Sequence, residues 1–332
     1  MKMTPSICRK IFLTFDVEDF VNRRSLKSLN FILKLLRKHE LQGLFFITGH
    51  MAEKLAFCKE TLGLFADQKI GYHSSSHSVR PTILEYTDIS DYAAARRESI
   101  RRECSHINPL TGKIEGKGGI NFLRELFPDH RIKTFRAPDY CWSPPHLQAL
   151  ADLDIEYDFS TKLFPTPATF KGITFYPYPI CHDWIGRKVV TSFLYAVSRK
   201  STTILNFHHW YFVNKLEWNS NYRDGNPEKL VQSVPRSKED SRHLFSMFEL
   251  FIRNINALQR TGLIKITAEL RSQKANNSID RAAVTRQLNQ LICWYKNNYY
   301  YEPKYLHKHF EKFFFEKQKK FDNDFGEALL EF

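Results

Sequence analysis

The sequence predicts an α/β chain organised around a parallel sheet or barrel. Three observations carry that prediction. Short apolar runs rich in strand formers alternate with stretches of helical period, so the first third of the chain reads β-α-β-α-β. These runs end in ionisable residues, and parallel α/β folds carry their chemistry at the C-terminal ends of strands. With 332 residues, 42% of them hydrophobic, the chain is long enough for one large domain with an appendage, or for two domains.

The elements follow in order. Residues 11–15 (Ile-Phe-Leu-Thr-Phe) predict the first strand, which ends in Asp16-Val17-Glu18-Asp19. Three acids in four residues repel one another, so the stretch reads as one that needs a cation, or as a solvated acidic turn. Leu26, Leu29, Leu33 and Leu36 recur at helical spacing and predict an amphipathic helix over 26–38. Gly43 opens a buried-strand pattern over 44–48, and 50–58 reads as a helix. Residues 69–72 predict a strand that runs into His73. Residues 88–104 read as an arginine-rich helix and 108–119 as a glycine-rich loop. A short strand at 133–135 delivers Arg136. Pro144 and Pro145 open a helix through Leu150, where a first turn tolerates proline. Residues 155–157 lead to Asp158, and 164–180 suit an irregular hairpin. A strong strand over 202–207 ends at His208 and His209. Residues 219–242 suit a mobile loop beside a site. A helix over 243–260 and a strand over 264–267 complete the pattern.

Beyond residue 272 the composition shifts, which divides the chain into 1–272 and 273–332. Tyr299-Tyr300-Tyr301 and Phe313-Phe314-Phe315 sit among lysines in this second part. It reads as a helical extension with aromatic anchors, which packs on the first domain, mediates oligomerisation or touches an anionic surface.

Composition narrows the function classes. The formal net charge of +13 suits a solvated basic surface, or attraction to anionic glycans, lipids or membranes. No nucleic-acid recognition motif accompanies it. The six cysteines, at 8, 58, 104, 141, 181 and 293, form no Cys-x-x-Cys and read as reduced thiols. No apolar leader precedes the first charges and no run reaches membrane-spanning length, so a cytoplasmic protein is expected, peripheral to the inner membrane if bound there.

The chemistry centres on His73-Ser74-Ser75-Ser76-His77. Imidazole is the commonest protein ligand of catalytic metals, and a spacing of four places two side chains on one side of a helical turn. Among 13 histidines such a pair arises readily by chance. Its weight comes from recurrence: five strands end in chemistry, at 16–19, at His73 and His77, at Arg136, at Asp158 and at His208.

In order and spacing these segments resemble the motifs of the polysaccharide deacetylase family, the NodB-homology domain of carbohydrate esterase family 4. Thr14-Phe15-Asp16-Val17-Glu18-Asp19 is similar to the acidic first motif, and His73 to His77 to the second, His-Ser/Thr-x-x-His. Arg136-Ala137-Pro138 resembles the third, Tyr157-Asp158-Phe159-Ser160 the fourth and Leu205-Asn206-Phe207-His208 the fifth. Gly43 to Ile47 and Ala52-Glu53-Lys54 resemble the strand and helix between the first two. The resemblance covers about residues 11–270. It implies a distorted seven-stranded (β/α) barrel, here with the C-terminal helical extension appended. It also implies metal-dependent hydrolysis of an N-acetyl group from an amino sugar, or of an O-acetyl group from some glycans.

The resemblance further implies roles. His73 and His77 hold a divalent metal with one acid of the first motif; zinc is the expectation, with cobalt, manganese and nickel as alternatives. Asp16 is the general base towards the attacking water, and Arg136 pairs with Asp16 and keeps it ionised. His208 is the general acid for the leaving amine, and Asp158 orients it. The backbone N–H of Asp139 helps to hold the oxyanion.

This chain departs from the family pattern at several points. Val17 stands where a second aspartate is common, so the third metal ligand is Glu18 or Asp19. Alternation along a strand puts Glu18 on the face of Asp16, whereas Asp19 needs a turn or bulge. Asp139 introduces a carboxylate beside the oxyanion site. The fourth motif lacks its usual tryptophan, and Trp142, Trp184 and Trp210 are expected to line the cleft instead. Of the two adjacent histidines, His208 fits the motif and His209 packs or binds substrate. The expected partner is a carbohydrate, nucleotide- or lipid-linked at the inner membrane surface. The rivals are a hydrolase of small non-sugar amides on the same barrel, and a non-catalytic glycan-binding protein.

Overall fold

The computed structural model describes residues 9–181, 201–271 and 279–316. Its strands are β1 (Arg9–Val17), β2 (Leu44–Ile47), β3 (Lys69–Tyr72), β4 (Ser105–Ile107), β5 (Ile114–Lys117), β6 (Thr134–Phe135), β7 (Tyr157–Asp158), β8 (Ala168–Phe170), β9 (Ile173–Phe175), β10 (Ile180–Cys181), β11 (Thr202–His208) and β12 (Ile264–Ile266). The helices are α1 (Arg23–Lys38), α2 (Gly49–Ala56), α3 (Lys59–Gly63), α4 (Ile83–Tyr86), α5 (Tyr92–Glu103), α6 (Gly119–Leu126), α7 (Pro144–Asp152), α8 (Lys238–Arg260), α9 (Arg281–Tyr299) and α10 (Leu306–Phe315).

β1 organises the molecule because both of its faces are buried, as in parallel sheets covered on two sides. Leu13, Phe15 and Val17 enter the main core with Leu29, Ile32, Leu33 and Leu36 of α1. Each fully buried leucine there contributes roughly 1.5–3 kcal/mol. Phe12 faces the other way, into a second cluster with Leu44, Phe46, Phe159, Tyr176 and Ile204. Thr14 and Asp16 share the face of Phe12 by the period-two rule.

The main sheet runs in the order β10-β11-β1-β2-β3-β6-β7-β9-β8, with β12 also paired to β1. Its pairings are parallel apart from β8–β9. The register sets the strand ends on one rim: His208 lies opposite Asp16, Ile47 opposite Tyr72, Tyr72 opposite Phe135, and Phe135 opposite Asp158. A glycine is needed at 71, where a Cβ would meet Thr134 Oγ1 at 2.5 Å and the Phe46 ring at 2.7 Å.

The architecture is α/β with a parallel sheet, but several expectations change. The main sheet has ten strands where seven are expected, since the β8–β9 hairpin, β10 and β12 add short edge pieces. No pairing joins β8 to β10 among the described residues. Residues 108–119 do not form a plain loop, because 114–117 pair antiparallel with β4. Helix α8 starts at Lys238, earlier than periodicity indicates, because Ser237 caps it by accepting from Asp240 N–H. His73 and His77 converge through a loop and not a helical turn, with Ser74 and His77 at φ 64° and 44°. The 219–242 segment is anchored: Trp218 and Tyr222 are buried against Val79, Ile107 and Trp210.

In the C-terminal part, Leu288, Tyr295, Tyr299, Phe310, Phe313 and Phe314 join the main core. Phe310 stacks on Trp142 at 5.0 Å, and Phe314 stacks on Phe170 at 5.4 Å. Trp142 therefore lies in the core and not in a cleft. The boundary at 272/273, Trp184 and residues 317–332 lie outside the described residues. No described helix is long and apolar enough to cross a membrane.

Candidate metal centre and active site

β1 delivers Asp16 to the rim, and its neighbours on both sides hold it. Arg136, just past β6, donates from Nη1 to Asp16 Oδ1 at 2.7 Å. Asn206 of β11 donates from Nδ2 to Asp16 Oδ2 at 2.7 Å, and its own Oδ1 accepts from Arg136. Arg136 Nη2 donates to Thr14 Oγ1 at 2.9 Å, and its guanidinium lies 4.3 Å from the Phe46 ring centre. Burial by itself would raise the Asp16 carboxyl. The Arg136 charge, with His73 and His208, outweighs burial and holds it below its ordinary value. His208 Nε2 is 3.4 Å from Asp16 Oδ2, and its side chain is 18% exposed where Asp16 is almost closed off. The rim thus holds an ionised carboxylate beside a partly open imidazole.

Glu18, two residues along, meets the histidine loop. Its Oε2 lies 2.8 Å from His77 Nε2 and 3.2 Å from His73 Nε2. Its Oε1 accepts from two indole N–H groups, Trp210 at 2.8 Å and Trp218 at 2.9 Å. His73 Nδ1 lies 2.7 Å from the Arg136 carbonyl, so the ring donates there and turns a lone pair at Nε2 towards Glu18. His77 Nδ1 lies 2.6 Å from Ser78 Oγ. The three ligand atoms of Glu18, His73 and His77 all lie within 4.8 Å of one another, and all three side chains are buried. Three buried acceptors facing one point repel unless a cation or added protons sit between them. The set fits a divalent cation: two imidazoles and one carboxylate, leaving positions open for water and substrate. The same crowding appears as mutual polarisation of the side chains. Burial would raise the Glu18 carboxyl, but His77 and His73 pull it well below its ordinary value. Glu18 in turn lifts His77 against its burial.

The remaining candidates separate. Asp19 is buried at the entrance to α1, where it accepts from Val21 N–H, Asn22 N–H, the Asn22 amide, the Ser25 hydroxyl and the Asn214 amide. It turns away from the His73–His77 pair because the chain bends there into the helix. Asp158 does not meet His208. Its oxygens accept from Ser160 N–H at 3.0 Å and Ser160 Oγ–H at 2.8 Å, and Ser160 Oγ accepts from Ala137 N–H. The reason is topological: β1, β2, β3 and β6 stand between β7 and β11. Burial pushes the Asp158 carboxyl up to about 6 despite the Ser160 bonds and the Arg136 and His146 charges. Asp139 sits in the left-handed region at φ 50°, and its Oδ2 accepts from Tyr299 Oη–H at 2.5 Å. His209 is a core histidine whose Nδ1 lies 3.1 Å from the Asp16 carbonyl.

Several functional side chains escape a reading of the sequence. Asn206 bridges Asp16 and Arg136; its position two before His208 on a strand is the one signal for it. Trp218 lies in a polar segment that gives no sign of the indole it presents to Glu18. Glu103, at the end of an arginine-rich helix, is the least legible. It is buried, and it accepts from Ser75 N–H at 3.0 Å, Ser74 Oγ at 2.9 Å, Tyr72 Oη at 2.5 Å, Tyr86 Oη at 2.9 Å and His146 Nε2 at 2.8 Å. The loop between the two histidines is therefore moored from below by one carboxylate.

A scan against protein-family models matches none, and no curated protein matches the chain. Solved structures do match. A CE4 family pseudoenzyme from Bacillus anthracis, in wild-type form, is similar over 78% of this chain and 63% of its own, at 14% identity and TM-score 0.39. The chain thus spans less than two thirds of that protein's length. A family 4 carbohydrate esterase from Streptomyces lividans, solved with acetate, matches over 80% of this chain and 93% of its own, at 12% identity and TM-score 0.39. A 4-alpha-glucanotransferase from Thermococcus litoralis matches over 78% and 39%, at 12% identity and TM-score 0.49. CE4 proteins are among the solved structures that this chain matches, and the chemistry of its site is read from its own side chains.

Proposed function

We propose that this chain is a metal-dependent hydrolase that removes an acetyl group, N-acetyl in the first instance, from a carbohydrate. One observation carries the reading: Glu18, His73 and His77 face one another beside an Asp16 paired with Arg136, at the C-terminal ends of neighbouring parallel strands.

An acetamide resists hydrolysis, so the site needs a better nucleophile and an electrophile at the carbonyl. A divalent cation, which Glu18, His73 and His77 would hold, would supply both, through a more acidic water and a polarised C=O. The chain's own groups manage the protons. Asp16, kept ionised by Arg136 and Asn206, accepts the proton of the attacking water. His208 stands within reach of Asp16 and is open enough to pass a proton to the leaving nitrogen. The Asp139 N–H has no hydrogen-bond partner among the described residues and is available to the developing oxyanion. Water adds to the carbonyl carbon, the C–N bond breaks, and acetate and an amine leave. In place of the orienting role the motif implies, Asp158 braces the Arg136–Ala137 backbone through Ser160. The +13 net charge supports an anionic substrate, a nucleotide- or lipid-linked amino sugar, met at an anionic membrane surface.

The test is acetate release from N-acetylated sugars, free, nucleotide-linked and lipid-linked, with Zn²⁺ or Co²⁺ added. Wild type is expected to release acetate, and Asp16→Asn to lose about 10²–10⁴-fold in rate. A wild type that binds glycans but takes up no metal and releases no acetate overturns the enzyme reading. Activity confined to small non-sugar amides overturns the substrate class.

A further inference from the structure

Helix α9 of the C-terminal extension reaches the site from outside the sheet. Tyr295 and Tyr299 lie four residues apart on its last turns, with rings stacked at 4.8 Å. They meet Ser78 and Thr82, which are also four apart and directly follow the histidine loop. Tyr295 Oη bonds Thr82 Oγ1, and Tyr299 Oη lies 3.1 Å from Ser78 Oγ. Tyr299 is 3% exposed. Its hydroxyl also lies 2.5 Å from Asp139 Oδ2.

The order of hydrogens in this chain can be worked out. A phenol has one hydrogen, and a carboxylate oxygen accepts. The short contact with Asp139 takes that hydrogen, as charge-assisted bonds are the strong ones. The 3.1 Å contact is then one in which Ser78 Oγ–H donates to Tyr299 Oη. Ser78 Oγ has two lone pairs, and one accepts from Asn219 Nδ2 at 2.7 Å. The other faces His77 Nδ1 at 2.6 Å and accepts its N–H. His77 is thereby left with a lone pair at Nε2, facing Glu18 and His73. The reverse order would set the Tyr299 lone pairs against the Asp139 carboxylate and put the His77 hydrogen on Nε2.

We propose that Tyr299 is a positioning residue for the metal site: its hydroxyl, aligned by Asp139, orders Ser78 and thereby holds His77 as the Nδ1–H tautomer that offers Nε2 to a cation. The inference rests on Glu18, His73 and His77 being metal ligands. The same hydroxyl ties the ligand loop to the turn at Asp139 and Tyr140, both in left-handed conformations that non-glycine residues hold only when surroundings impose them. The extension is therefore part of the site's machinery.

The test uses the full chain and Tyr299→Phe, which keeps the ring stack on Tyr295 and deletes the hydroxyl. Zn²⁺ affinity is measured by chelator competition, the Co²⁺ form by its visible absorption, and the fold by thermal melting. Tyr299→Phe is expected to weaken Zn²⁺ binding about 10- to 100-fold, the range for outer-shell partners, and to shift the Co²⁺ bands. Ser78→Ala should cause the same loss, and the double variant no more than either single change. Tyr300→Phe, at an exposed neighbour, should change nothing. If wild type binds metal and both Tyr299→Phe and Ser78→Ala match it in affinity and spectrum, the positioning role is wrong while the metal reading stands. If wild type binds no metal, that reading fails and this one with it. Should Tyr299→Phe melt early, Ser78→Ala decides between the outcomes.

Discussion

Replacing Arg136 by methionine isolates the electrostatics of the rim. Arg136 is 0% exposed and divides its bonds among Asp16, Asn206 and Thr14. Methionine keeps an apolar contact with Phe46 and much of the volume, and removes the charge. In wild type, burial opposes ionisation of Asp16, yet Arg136, His73 and His208 hold its carboxyl below the ordinary value of 3.8. A depressed folded value means that the pair stabilises above that ordinary value, and that the stabilisation is lost as pH falls through the lower folded one. In Arg136→Met the largest charge opposing burial is gone and the folded carboxyl is expected to move up. Relative to wild type, the variant therefore loses stability as pH rises. Removing one partner of a buried pair costs about 3–5 kcal/mol, and this is the deficit expected at pH 8. The deficit should narrow as pH falls, and reach the lost hydrogen bonds alone, about 1 kcal/mol, only below the lowered folded value of the wild-type carboxyl. Urea denaturation of both proteins at pH 4, 6 and 8, with a chelator present, measures this. Adding Asp16→Asn to the variant should recover about 2 kcal/mol at pH 8 and less at pH 4. A deficit that does not vary with pH, or no recovery in the double variant, refutes the assignment of Arg136 as the counter-charge of Asp16.

Two further outcomes separate the acids. Glu18→Ala should abolish tight Zn²⁺ binding and, since it strands the indole N–H groups of Trp210 and Trp218, cost about 1–3 kcal/mol in urea unfolding. Asp19→Ala should leave Zn²⁺ affinity within a few fold and cost about 2–3 kcal/mol in urea unfolding, since it strands several buried donors. For Asp158, the folded carboxyl at about 6 lies above the ordinary 3.8, so the sign is opposite to that of Asp16. Wild type should lose about 2 kcal/mol of linked stability as pH rises from 4 to 7 on this group's account, and Asp158→Asn should lack that part of the slope in paired denaturation series.

The parts of the site that the sequence makes legible are those set by short-range rules. Period-two alternation puts Thr14, Asp16 and Glu18 on one face of β1 without knowledge of any partner. Apolar runs that stop at an ionisable residue mark where strands end, and parallel pairing then brings those ends to one rim. Hence Asp16, His73, Arg136 and His208 are visible as a set before any coordinates. The histidine spacing of four points to convergence but suggests the wrong backbone. A loop with two left-handed residues produces it, and no helical periodicity encodes such a loop. The β4–β5 hairpin and the early start of α8 are missed for a related reason: polar, capped segments carry little hydrophobic pattern.

What the sequence alone determines, then, is the α/β alternation, the positions of the strand ends and the types of residue they present, because each depends on neighbours a few positions away. Tertiary structure decides how those residues divide the work. Asp19 is withdrawn from the Glu18–His73–His77 cluster by α1 and by Asn214, which lies 195 residues along the chain. Asp158 is kept from His208 by four intervening strands. Glu18 is oriented by two tryptophans, the histidine loop is moored by Glu103, and His77 is linked through Ser78 to Tyr299 at the end of the extension. These contacts join segments far apart in sequence, and only the packed chain decides which donor reaches which acceptor.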